Sequence, residues 1–146
     1  MDSPIKRAAM GFVAAVIAVL TFHQGMWALL HVLDLQGLKM PAAYPTDGVP
    51  PWQVPRIVNL CFWGGLYGIV FGLLLPRCRL PVWLCGVITG FIAAFVGLVI
   101  VSAIKGTPIG AGWVVLSWVR SLLINGSWGL GLGLILPFLL PRSVRI

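Results

Sequence analysis

Residues 63–77 read WGGLYGIVFGLLLPR, and residues 128–142 read WGLGLGLILPFLLPR. Trp63, Gly64, Gly68, Leu74, Leu75, Pro76 and Arg77 of the first line meet Trp128, Gly129, Gly133, Leu139, Leu140, Pro141 and Arg142 of the second. Most of the other pairs exchange one apolar residue for another. The match extends upstream, where GFVAAVIAVL at 11–20 aligns with GFIAAFVGLV at 90–99. The offset is 79 residues there and 65 in the opening pair, because the first unit carries the longer connecting loop. An apolar line written twice points to a duplicated unit.

The solvent of that unit follows from composition. The chain is 60% hydrophobic and 9% charged, with a mean hydropathy of +1.03. A soluble domain carries about 25% charged residues, so this chain cannot clothe a water-facing surface and its expected solvent is lipid. A membrane helix needs about 20 mostly apolar residues. Four segments qualify: residues 8–33, 57–75, 80–104 and 121–140, each bounded by Lys, Arg or Asp. A closed β-barrel would alternate polar and apolar residues, and these runs do not. The expected fold is an all-α integral membrane protein with one membrane domain over residues 1–146. Its four transmembrane helices form a bundle as a tandem parallel repeat of two helical hairpins, residues 8–77 and 80–142. Each unit has two spans, so both enter the membrane the same way, related by an axis along its normal.

Orientation follows from the basic residues. With an even number of spans, Lys6, Arg7, Arg77, Arg79, Arg142 and Arg145 share one side, and Lys39, Arg56, Lys105 and Arg120 the other. The excess places both termini in the cytoplasm, and the expected location is a bacterial inner membrane. The opening MDSPIKRAAMGFVAAVIAVL has the basic start and apolar run of a signal peptide but no small-residue cleavage site after it, so a retained signal anchor is expected. The net charge of +7 does not read as a nucleic-acid footprint, because the basic residues stand singly or in pairs between apolar runs. Five prolines between residues 34 and 55 exclude a long helix there. Trp113 and Trp118 fit an interfacial aromatic belt.

Gly64, Gly68 and Gly72 are spaced GxxxGxxxG, and Gly129 and Gly133 repeat the first step. Residues four apart share a helix face, and small faces let membrane helices approach closely. These five glycines are the expected helix-packing residues, with the second and fourth spans crossing on them.

Polar side chains inside membrane spans are where function is sought. His23 and Gln24, Asn59, and Asn125 all fall on the half of the spans away from the termini, near Arg56 and Arg120. One reading is a shallow cationic site for a lipid phosphate, another anion or a solute. The other is two arginines snorkelling to headgroups while Asn and Ser stitch helices together. His23 and His31 lie about 12 Å apart along one helix and cannot both ligate one haem, and no other histidine exists to pair with them. We expect no cofactor and no metal. Cys61, Cys78 and Cys85 follow no CxxC spacing, so neither a disulfide framework nor a zinc site is expected. No carboxylate pair, nucleophilic triad or phosphate loop is present. The FHQG run at 22–25 suggests no chemistry by itself.

The expected function is therefore non-enzymatic: an accessory or scaffold subunit that packs against a larger membrane complex or against itself, surrounded by lipid. The alternative is a small channel or facilitator for a neutral or anionic solute.

Overall fold

The structure, a computed structural model, describes residues 3–141. Arg142 and Arg145, and with them the end of the second repeat, lie outside the described residues. Four helices are long and apolar enough to cross a membrane: α1 Pro4–Leu33, α2 Arg56–Arg77, α3 Val82–Lys105 and α4 Val115–Leu139.

Local chemistry sets their ends. Ser3 caps α1 by accepting the Lys6 amide at 3.1 Å, and Pro4 follows with its missing N–H at no cost. The helix therefore starts four residues before the apolar run. Pro55 and Pro81 stand immediately before α2 and α3. Gly106 ends α3 in the left-handed conformation (φ 68°) that a Cβ disfavours. Helix α4 begins at Val115 rather than Ser121, so Arg120 lies inside the helix and not at its boundary. A charge is a poor boundary marker here, because an arginine on a helix can carry its head out along the surface.

Two of the helices are interrupted. Val19–His23 of α1 and Val96–Val101 of α3 are π-helical. In the sequence repeat, 96–101 corresponds to 17–22, so the wide turns fall at matching places.

Helix α1 packs along α2 and α3 along α4, each pair antiparallel, and α1 also packs on α4. The glycines explain the pairs, but not as the sequence suggested. A Cβ at Gly68 would land on the carbonyl of Gly11 and the side chain of Ala15; one at Gly72 would land on the carbonyl of Arg7. In the other hairpin Gly129 presses on Gly86, and Gly133 on Val82 and Trp83. The glycine stripes thus close α1 onto α2 and α3 onto α4, and the expected crossing of α2 with α4 is replaced by these contacts. The physical reason is that a small stripe permits close approach without choosing the partner, and α1 and α3 bring small residues of their own, Gly11, Ala15, Gly86 and Gly90, to meet it. Of the three glycines on α2, Gly64 has α4 among its nearest neighbours, through the Trp128 ring, beside Val19 of α1.

The two hairpins are not in the same register. Gly11 and Gly68 align in sequence with Gly90 and Gly133, yet Gly90 sits on Asn125 and Gly126. That is about two turns, or 12 Å, from Gly133. A second departure concerns the seams. Under a twofold axis the α1–α4 contact would have an α2–α3 counterpart, but α2 and α3 barely meet. One seam is closed and the other open.

The closed part is aliphatic. Ala14, Ala15, Ala18, Leu132 and Leu136 are essentially inaccessible and fill the half of the bundle nearer the termini. Trp128 joins the hairpins, its Nε1 donating to the carbonyl of Ala15 at 3.2 Å. Large apolar residues on the outside, such as Val32 and Phe138, are about three-quarters exposed (77% and 76%).

Two short strands, β1 Gly48–Val49 and β2 Val54–Pro55, pair antiparallel in the long loop. Across the turn between α2 and α3, Cys78 and Cys85, the latter in the first turn of α3, come side by side with their Cα atoms 6.9 Å apart. The turn at Leu75–Arg77 and Pro81 folds seven residues of chain back on themselves, a proximity that cysteine spacing alone did not signal.

Candidate functional site

The open seam contains a cavity of about 550 Å³, within the range of small-ligand pockets, roughly 300–1,000 Å³. Each helix offers it one face. From α1 come Val19 and His23, one turn apart; from α2 Asn59, Trp63 and Tyr67, at successive turns; from α4 Asn125 and Trp128. Helix α3 contributes Val96, Gly97 and Val101 of its π segment, and Lys105 at its end. The loop tip, Val49 to Trp52, lies over the mouth. The floor is aromatic, with the Tyr67 and Trp128 rings edge-on at 6.0 Å. Beneath it the apolar packing of Ala15, Phe71 and Leu132 closes the bundle.

Both π segments border this cavity. A π turn inserts a residue and widens the helix, and such turns gather at functional sites. Here they also leave carbonyls for side chains: the Tyr44 hydroxyl donates to Leu20 at 2.7 Å, and Ser102 to Gly97 at 3.2 Å.

A second, smaller cavity of about 330 Å³ lies alongside and includes Trp27, Ser117, Arg120 and Ser121. His23, Leu60 and Asn125 belong to both. No carboxylate lines either cavity, and each has one cation: Lys105 in the first and Arg120 in the second.

The polar residues singled out from the sequence divide into three groups. His23, Asn59 and Asn125, from three helices, converge on the main cavity. Arg120 reaches only the neighbouring one and points a guanidinium N–H at the carbonyl of Lys39. Arg56 and Gln24 line neither. The Arg56 guanidinium is engaged with both carboxylate oxygens of Asp47, 2.6 Å at its shortest, and Arg56 and Arg120 do not line a common cavity. That hydrogen-bonded guanidinium holds the Asp47 carboxyl below its usual pKa.

Gln24 accounts for the FHQG run. Its Oε1 accepts the Tyr44 amide at 2.7 Å, which turns its Nε2 toward His23 Nδ1, 3.1 Å away. Because that amide nitrogen can only donate, Nδ1 must accept, and the hydrogen-bond network therefore assigns the imidazole proton to Nε2. Among the described residues no acceptor meets that N–H, nor does any partner meet the Asn59 amide. Asn125, by contrast, donates to its own helix at Ser121. The loop is further held by Trp27 Nε1 donating to Pro41 and by His31 Nδ1 at the carbonyl of Met40, both at 2.8 Å.

Sequence reasoning missed the aromatic walls Trp63, Tyr67 and Trp128. The spacing 59, 63, 67 was a readable signal, since it sets Asn59 on one stripe with two aromatic rings. No protein-family model matches the chain, and no curated protein or solved structure shows significant similarity to it.

Proposed function

We propose that this is a non-enzymatic integral membrane protein, with both termini cytoplasmic, that binds a small neutral or anionic molecule in the cavity between α2 and α3. The observation that carries the reading is the convergence of His23, Asn59 and Asn125 from three helices on one aromatic-walled space without a carboxylate. The two uncommitted donors among them, on His23 and Asn59, stand over an apolar floor, the arrangement that fixes a ligand's orientation. Aliphatic packing below Trp128 favours a binding pocket over an open pore. A facilitator would have to part Ala15 from Leu132 to pass its solute.

A second reading, an accessory subunit of a larger complex or a self-associating scaffold, draws support from α3. It is the least covered of the four helices and turns Ile88, Phe91, Ile92 and Phe95 outward. Tandem duplication of an ancestral hairpin underlies both readings and rests on the repeated sequence and the matched π turns.

Native mass spectrometry of the protein released from its own membranes tests the proposal. The expected result is one small molecule per chain, absent from Gly97→Leu. Gly97 lines the cavity and a Cβ there meets nothing within 4 Å, so a larger side chain can be added at the cavity wall without displacing backbone. A stoichiometric protein partner with an unliganded cavity would instead support the accessory reading.

A further inference from the structure

The cavity sits in the seam that the twofold pattern leaves open, and this decides how a ligand arrives. α1 and α4 close on each other through Trp128 and Ala15, whereas α2 and α3 barely meet, and the cavity lies between them. For a bundle in lipid, a gap between two helices faces the bilayer and not only the water. Trp63, on the α2 edge of the cavity, is 54% exposed, as an apolar doorpost would be.

Charge completes the argument. The acids among the described residues are both committed: Asp34 to Lys39 at 2.9 Å and Asp47 to Arg56. Lys105 lines the cavity at the loop-side end of α3 with no carboxylate against it. A cation at a membrane interface without a counter-ion, above an apolar lateral opening and beside donors of Asn59 and His23, matches one ligand chemistry. That ligand is an acyl chain carrying an anionic phosphate headgroup. We infer that the cavity takes an anionic phospholipid sideways between α2 and α3, its phosphate at Lys105, its glycerol region at Asn59 and His23, and a chain against the aromatic floor. This rests on the ligand-binding reading and narrows it.

The test uses the full chain in phosphatidylcholine nanodiscs doped with phosphatidylglycerol, ejected for native mass spectrometry. One phosphatidylglycerol should be retained per chain in preference to phosphatidylcholine. Lys105→Gln should weaken that preference by about threefold, the size appropriate to an exposed ion pair. Arg56→Gln should leave it unchanged, and Gly97→Leu should abolish retention. Excess inorganic phosphate should not displace the lipid; displacement would assign the site to the free anion and overturn lateral lipid entry. Equal retention of the two lipids, insensitive to Lys105→Gln, would overturn the headgroup assignment. If no phospholipid is retained while a different small molecule co-purifies from native membranes and is lost in Gly97→Leu, the lipid inference fails and the cavity reading stands. If Gly97→Leu changes nothing in either experiment, both fail.

Discussion

The Gln24 side chain binds the backbone of Tyr44 through its oxygen and the ring of His23 through its nitrogen. One buried amide thus fixes both the long loop and the tautomer of a cavity histidine. Gln24→Leu removes both bonds and leaves His23 Nδ1 without its donor. Loss of a buried hydrogen bond with an orphaned partner costs about 1–3 kcal/mol, so the thermal midpoint in detergent should fall. Hydrogen exchange should rise in residues 40–46 while α3 stays protected. Unchanged exchange at Tyr44 would show that the loop is held elsewhere.

The glycine contacts give a graded test. Gly68→Leu and Gly129→Leu must push backbone from backbone, and overpacking of this kind costs about 1–3 kcal/mol. Gly65→Leu should also destabilise, since its Cβ would run into the Phe12 ring of α1. Gly25 is the control. A Cβ there meets nothing within 4 Å, so Gly25→Ala should be neutral or slightly stabilising through helix propensity. Melting in detergent that ranks Gly25→Ala with Gly68→Leu would refute the packing scheme.

The Asp47–Arg56 pair closes the strand ribbon, and its titration has a definite sign. The folded carboxyl titrates below its unfolded value because the ionised form accepts from Arg56. Its contribution is therefore present at pH above the ordinary carboxylate range and is lost as pH falls through the depressed folded pKa. Protection factors for the Arg56 and Ile57 amides, which donate to Asp47 and Pro45 at 2.9 Å, should hold at neutral pH and drop in acid. Asp47→Asn should show the reduced protection already at neutral pH, and a flat pH response in the native chain would contradict the assignment.

Orientation is open to a direct check. With the termini cytoplasmic, a cysteine at Thr46, in a background lacking Cys61, Cys78 and Cys85, should react with an impermeant thiol reagent added to intact cells. Labelling only after lysis would reverse the proposed topology.

Much of this architecture could be read before any coordinates. The four spans followed from apolar length, and the loop-side gathering of His23, Asn59 and Asn125 from their distance to the nearest charges. Partner choice was not legible. Gly68 advertises a small face, but only three-dimensional packing shows that Gly11 and not Gly133 fills it. The role of Gln24 was hidden for a similar reason: its partner Tyr44 lies 20 residues away in a proline-rich loop with no periodicity to follow. The engagement of Arg56 was hidden too, because its carboxylate partner, nine residues earlier in sequence, is brought back by a two-residue ribbon too short to leave a pattern.

The π turns also bear on changes in chain length. Each holds one residue more than an α-helix needs to cover the same stretch, so deleting one residue within Val19–His23 or Val96–Val101 would let the helix run on as uninterrupted α while its two flanks keep their relative facing. A deletion in a regular stretch of α1 or α3 would instead rotate one flank by about 100° against the other and swing Gly11 off Gly68 or Gly86 off Gly129. The two wide turns are therefore where a single-codon deletion is best absorbed, and what it removes is local: the carbonyls that Leu20 and Gly97 offer to Tyr44 and Ser102.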